Sequence, residues 1–214
     1  MKVAAVIPSI GLSPHLGALV EALAVEGIHP WVISNRQRLD GVSARATVLH
    51  LPGAGLYHVW NFGLDLAVDA GAAWCAVLND DVILSPGAIR RAVDAADVDP
   101  GVWIAGLDYE GVDGGPDGVR LRPAVGSYHT HGVGGFAFCI RPDVDVRCDE
   151  SFEWWGGDDD LIWTVLDKGG RAVVVEGARV SHPCPETSAV HFPELEAAKG
   201  RDRERLAAKW GRAW

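Results

Sequence analysis

Trp74-Cys-Ala-Val-Leu78 is apolar at every position and runs without a break into Asn79-Asp80-Asp81. A strand with one face in water alternates apolar and polar residues, whereas a strand with no polar position must be covered on both faces. Helices packed on both sides of a parallel sheet provide that cover, so this one segment predicts an α/β fold. The rest of the chain keeps the rhythm. Lys2–Pro8 reads as a first buried strand, Pro30–Ser34 as a second and Ala46–Leu51 as a third. Between them Leu16, Leu19, Val20 and Leu23 fall at helical spacing within Pro14–Glu26, which Gly27 closes. Tyr57–Ala70 reads as a helix ended by Gly71, and Pro86–Ala96 as another. Val102–Gly106, Phe136–Ile140 and Ala172–Glu176 read as strands, the last of them short, and Asp159–Lys168 as a helix before Gly169-Gly170. Residues 108–134 are rich in glycine with little periodicity, and the sequence predicts a long loop there, of the kind that carries function.

The 214 residues suit one such domain, here bounded as 1–190, with a helical tail over 191–214. A formal charge of −10 disfavours a nucleic-acid backbone as partner. No apolar run approaches the roughly 18 residues of a membrane span, and the opening Met1–Ser9 is too short for a secretory signal. Cys75, Cys139, Cys148 and Cys184 form no C-x-x-C pair and read as reduced thiols, so a cytoplasmic protein is expected.

Chemistry in an open α/β sheet gathers beyond the carboxyl ends of the strands. Asn79-Asp80-Asp81 sits at such an end, and two adjacent carboxylates leaving a buried strand repel unless water or a cation relieves them. Oxygen ligands of this kind suit Mg²⁺ or Mn²⁺, which would also hold a diphosphate; a solvated turn with Asx hydrogen bonds is the alternative. A second acidic run, Asp158-Asp159-Asp160, follows Trp154-Trp155-Gly156-Gly157. Carboxylates at a helix start complement its dipole, which accounts for one Asp well and three poorly. Indole faces beside carboxylates suit sugar rings, and core packing is the other reading of Trp154 and Trp155. His182 follows the strand-like Ala178–Ser181 and is either a structural histidine or one more metal or phosphate ligand.

Taken in order, strand-Pro8-Ser9, Leu78-Asn-Asp-Asp-Val82, Gly156-Gly-Asp-Asp-Asp-Leu161 and Val180-Ser-His182 resemble the family 2 glycosyltransferases of the GT-A fold. Asn61 and Gly63 match that family's helix before the metal-binding acids, and Gly135–Ile140 looks like its acceptor-side strand. Trp155-Gly-Gly-Asp-Asp-Asp-Leu161 is also similar to the W-G-G-E-D-D-D of animal galactosyltransferases. The resemblance implies one Rossmann-like domain with a mostly parallel central sheet, residues 1–106 binding nucleotide and metal and 107–190 supplying the acceptor side and base. It implies an inverting transfer of sugar from a nucleoside-diphosphate donor, UDP- or dTDP-linked, to an acceptor hydroxyl. Asp81 would bind the cation with His182 as a further contact, and Asp80 and Asn79 would sit toward the donor. Pro8, Ser9, Asn35 and Asn61 would line the nucleotide pocket. The base would be Asp158 or, since Gly157 stands where the family usually has Glu, Asp159.

The absence of a Q-x-x-R-W motif and of a membrane span argues for a non-processive enzyme. A sugar nucleotidyltransferase should carry a basic, glycine-rich loop after the first strand, and Pro8–Ser13 holds no basic residue. That counts against the nucleotidyltransferase, which stays an alternative beside a nucleotide-sugar- or carbohydrate-binding protein with little turnover. The acceptor, whether glycan, small molecule, lipid-linked intermediate or protein, is not written in the sequence. Gly132–Ala137 fits G-x-G-x-x-A but precedes a strand, so it is no dinucleotide fingerprint. His129 and His131 read as solvated loop residues, contact with acceptor or metal being the alternative. Leu206, Trp210 and Trp214 share one helical face, which is expected to dock on the domain itself, pairing with a second subunit or resting on an anionic surface being the alternatives.

Overall fold

Alternate residues of β1 (Val3–Ser9) serve opposite layers: Val3, Ala5 and Ile7 join one buried cluster, Ala4 and Val6 another. β4 (Trp74–Leu78) divides the same way, with Trp74, Ala76 and Leu78 on the first face and Cys75 and Val77 on the second. The apolar run that opened the sequence argument is therefore a strand covered on both sides. The computed structural model describes residues 1–35, 39, 42–109, 119–127, 132–183 and 195–212. Cys184, His129, His131 and Trp214 lie outside them.

Helices α1 (Leu16–Val25) and α3 (Ala88–Asp97) cover the first face; α2 (Leu56–Asp69), α4 (Gly157–Asp167) and α5 (Leu195–Trp210) cover the second. The remaining strands are β2 (Pro30–Ser34), β3 (Thr47–His50), β5 (Ile83–Leu84), β6 (Val102–Asp108), β7 (Arg120–Ala124), β8 (Ala137–Ile140) and β9 (Arg171–Ser181). Their order in the sheet is β3-β2-β1-β4-β8-β6-β9-β5, with β7 also on β9. The α/β layering agrees with the sequence reading. Direction is more mixed than the resemblance implies: β3, β2, β1 and β4 run parallel, as do β6 and β9, but β8 enters antiparallel between β4 and β6, and β5 and β7 pair antiparallel with β9. A short strand buried on both faces looks the same in sequence whichever way it runs.

Two further differences concern the second half. β7 occupies part of the stretch expected to be loop, its Arg-Leu-Arg-Pro-Ala too polar and too brief to stand out. β9 is one strand of 11 residues rather than two short pieces. Glu176-Gly177 disguises its continuity: Gly177 has φ of +89°, the pairing with β6 shifts register there, and the Gly177 N–H is taken up by the carboxylate of buried Asp108 at 3.1 Å. β1 continues through Pro8 to Ser9, because its β4 ladder stops at Val6 and a residue without N–H loses no partner on that side.

One glycine sets the distance between layers. A Cβ at Gly63 would lie 2.5 Å from a Val6 methyl, so α2 can sit on β1 only because position 63 has no side chain.

Candidate active site

The antiparallel entry of β8 brings the site together. Leu78 pairs with Ala137, and the ladder runs one step further as the Asn79 N–H donates to the Phe136 carbonyl at 2.8 Å. The segment 134–136 thereby lies against the carboxyl end of β4, where the first acids emerge.

Ser9, at the end of β1, donates its hydroxyl to Asp80 Oδ2 at 2.5 Å, and Ser13 Oγ donates to the Asp80 carbonyl at 2.7 Å. Burial pushes the Asp80 carboxyl up to about 6, with the charge of Asp81 adding to it against the Ser9 hydrogen bond. Asp81 is buried, and its Oδ1 lies 2.9 Å from His182 Nε2, just beyond β9. The imidazole is held flat against Phe136, ring centroids 4.6 Å apart and planes 22° from parallel. Tyr109 meets Phe136 edge-on.

The second acidic run reaches the same segment. A Cβ on Gly135 would come within 2.7 Å of Asp158 Oδ2, so the Asp158 carboxylate packs directly on that backbone. Asp81, His182, Phe136, Gly135 and Asp158 thus form one continuous line of contacts along the rim of the sheet. Gly156 starts α4 with φ of +71°, and the Gly157 N–H donates to the Tyr57 hydroxyl at 3.1 Å. No side chain fits at 157, since a Cβ there would stand 2.2 Å from the Tyr57 ring.

The three aspartates have separate surroundings. Asp159 is 3% exposed and its Oδ1 accepts the Ser127 N–H at 2.8 Å. Asp160 is fully buried and accepts Trp210 Nε1 at 2.7 Å and Lys209 Nζ at 3.1 Å from α5. Asp158 alone keeps partial exposure. A narrow apolar slot of Ile104, Val133, Phe138, Leu161 and Ile162, too tight for water, lies against it. Burial, and then the charge of Asp159, pushes the Asp158 carboxyl up to about 7.

The other sequence-derived candidates are placed differently. Asn35 donates to the Ala54 carbonyl at 2.9 Å and ties β2 to the turn before α2. Asn61 is buried: its amide donates to the Cys148 carbonyl and Glu150 Oε1, and accepts the Cys148 N–H, all at 2.8–2.9 Å. Both of its donor hydrogens are used, so Asn61 braces α2 against residues 148–150 instead of opening toward a nucleotide. Trp154 and Trp155 are half-buried, and Lys199 Nζ stands 5.2 Å over the Trp155 ring. Cys75, Cys139 and Cys148 are free, buried thiols, Cys75 pushed up to about 12 by burial.

Sequence reasoning passed over Tyr57, because a helix tyrosine at core spacing carries no mark of chemistry. It passed over Asp202 too, one acid in a basic tail. Leu206 and Trp210 pack on the domain, Trp210 edge-on to Trp163 at 5.9 Å. No helix among the described residues is long and apolar enough to cross a membrane.

No protein-family model and no curated protein sequence matches the chain. Solved structures do. One is the mannosyltransferase PcManGT from Pyrobaculum calidifontis, in complex with GDP-Man and Mn²⁺, with a TM-score of 0.68 at 13% identity. That match covers all of this chain and 66% of the other. Another is S. aureus TarS 1–349 in complex with UDP-GlcNAc, with a TM-score of 0.56 at 13% identity, over 85% of this chain and 58% of that one. The chain shares the α/β fold of these two structures and spans about two thirds or less of their length.

Proposed function

We propose that the protein transfers a sugar from a nucleoside-diphosphate donor to an acceptor hydroxyl, with inversion, one sugar at a time. The observation that carries this reading is the convergence of the Asp81–His182 pair and the Asp158 carboxylate on residues 135–136. The fold shared with two proteins solved with nucleotide sugars agrees with it.

The donor set fits a divalent cation. Asp81 Oδ1 and His182 Nε2 converge, and Asp81 Oδ2 accepts no hydrogen bond among the described residues. No group of three or more acidic, His or Cys side chains among those residues could hold a metal ion by itself. Two protein ligands leave coordination positions for diphosphate oxygens, which is how Mg²⁺ and Mn²⁺ sit in phosphate-handling sites. When bound, such a cation offsets the negative charge gathering on the departing diphosphate.

The chain's own groups do the rest. Phe136 keeps the imidazole facing Asp81, and Ser9 fixes the Asp80 carboxylate beside the donor site. Asp158 accepts the proton of the acceptor hydroxyl as that oxygen attacks the anomeric carbon from the face opposite the leaving group. Asp159 is buried with its Oδ1 on the Ser127 N–H, whereas Asp158, whose Oδ1 accepts the Asp159 N–H at 3.0 Å, keeps partial exposure, which favours Asp158 over Asp159 as the base.

The test is release of nucleoside diphosphate from UDP-, dTDP- and GDP-sugars, with and without Mn²⁺. Slow donor hydrolysis that needs Mn²⁺ and disappears in Asp81→Ala is the expected result. Intact donors under every condition, with no binding of any nucleotide, would overturn the reading.

A further inference from the structure

Helix α5 lies outside the sheet and contributes nothing to the line of contacts from Asp81 to Asp158. It nevertheless grips the loop that leads into α4 and Asp158. Asp202 is wholly buried, and its two carboxylate oxygens accept the backbone N–H groups of Glu153, Trp154 and Trp155 at 3.0, 2.9 and 3.0 Å. Arg205 from the next turn supplies a fourth bond, Nη1 to Asp202 Oδ1 at 2.7 Å, and also reaches Glu153 Oε1 at 3.0 Å. A buried carboxylate is costly unless every lone pair is met, and here the partners are three successive amides of one loop. Such a loop has no sheet or helix ladder to satisfy those donors.

The same helix holds the far side of the acidic run through Lys209 and Trp210 on Asp160. Asp158 therefore sits between two attachments to α5, one upstream at 153–155 and one downstream at 160. We infer that Asp202 is a positioning residue for transfer, and that α5 acts as a clamp setting where the Asp158 carboxylate meets the acceptor. This rests on the assignment of Asp158 as base. Positioning of this sort is steep, since displacement of a reacting group by about 1 Å costs on the order of a hundredfold in rate.

Asp202→Asn tests it, because the new amide NH₂ would face backbone donors. Expected are faster hydrogen exchange at the amides of residues 153–155, a fall in kcat of about tenfold or more, and a donor KM within about twofold of wild type, because uniform binding is untouched. Leu23→Ala, under α1 on the other face of the sheet, controls for lost stability and should keep wild-type kcat. Should Asp202→Asn fail to fold, Arg205→Met leaves the carboxylate in place and should show the same split more weakly. Freed amides with unchanged kcat, or a kcat no lower than that of Leu23→Ala, would overturn the clamp. If Asp158→Asn still transfers sugar, the base assignment fails, and the exchange rates still report separately whether α5 holds the loop.

Discussion

At the scale of single residues, the site is legible where chemistry demands an unusual residue type and silent where it uses a common one. Paired acids after an apolar strand stand out, and so does an acid run after tryptophans. Tyr57 and Asp202 do not, because a tyrosine on an apolar helix face and an aspartate in a charged tail are what ordinary packing and solvation also produce. Which aspartate of the trio stays partly exposed was equally invisible, since Asp159 and Asp160 are buried against partners far along the chain, Ser127 and α5. The position of Asp158 has two measurable results. A carboxyl raised from 3.8 to about 7 keeps its proton in the folded state where the unfolded chain has lost it. Folding stability from this group is therefore present in acid and lost as pH rises toward 7. Asp158→Asn should abolish transfer, by about 10²–10⁴-fold, yet melt higher than wild type at pH 8 and no higher at pH 4, as read by calorimetry. In the wild type, transfer should rise with pH and level off above about 7; a rate flat from pH 5 to 8 would remove Asp158 as base. His182→Ala should raise the Mn²⁺ concentration needed for half-maximal rate by about 10–100-fold, in the range of lost metal-site partners.

At the scale of elements, strands and helices with strong patterning appear where the sequence places them, to within a residue or two: β2 and β4 at the same limits, α2 shifted by one position. The misread elements share one cause. β7 and β9 are shaped by long-range pairing with each other, and a bulge at Gly177 breaks the local pattern by which a strand is recognised. Close approach is a property of this scale also. Gly63→Ala forces a methyl toward Val6, and overpacking of that kind costs about 1–3 kcal/mol. Urea unfolding should show the loss, and Gly55→Ala, at the start of the same helix with nothing within 4 Å, should show much less of it. Equal losses would mean that α2 and β1 are not held at the distance described.

At the scale of the whole molecule, the halves of the site belong to distant parts of the chain, and nucleotide and metal should join them energetically. A nucleotide sugar at 100 times its dissociation constant stabilises the protein that binds it by about 2.7 kcal/mol, or about 5–10 °C in melting temperature for a chain of this length. A cation held by Asp81 and His182 would tie the diphosphate to the protein, so most of that shift should vanish when Mn²⁺ is chelated. A shift of the same size in chelator would dissociate donor binding from Asp81 and His182.

The order of α5 in the chain adds a temporal consequence. During translation, at about 5–20 residues per second, the stretch that holds Asp158 leaves the ribosome before Asp202 does. For a few seconds a nascent protein has its strands and both acid groups but no brace behind the second one. On the proposed reading, the acids are therefore made before the helix that positions one of them.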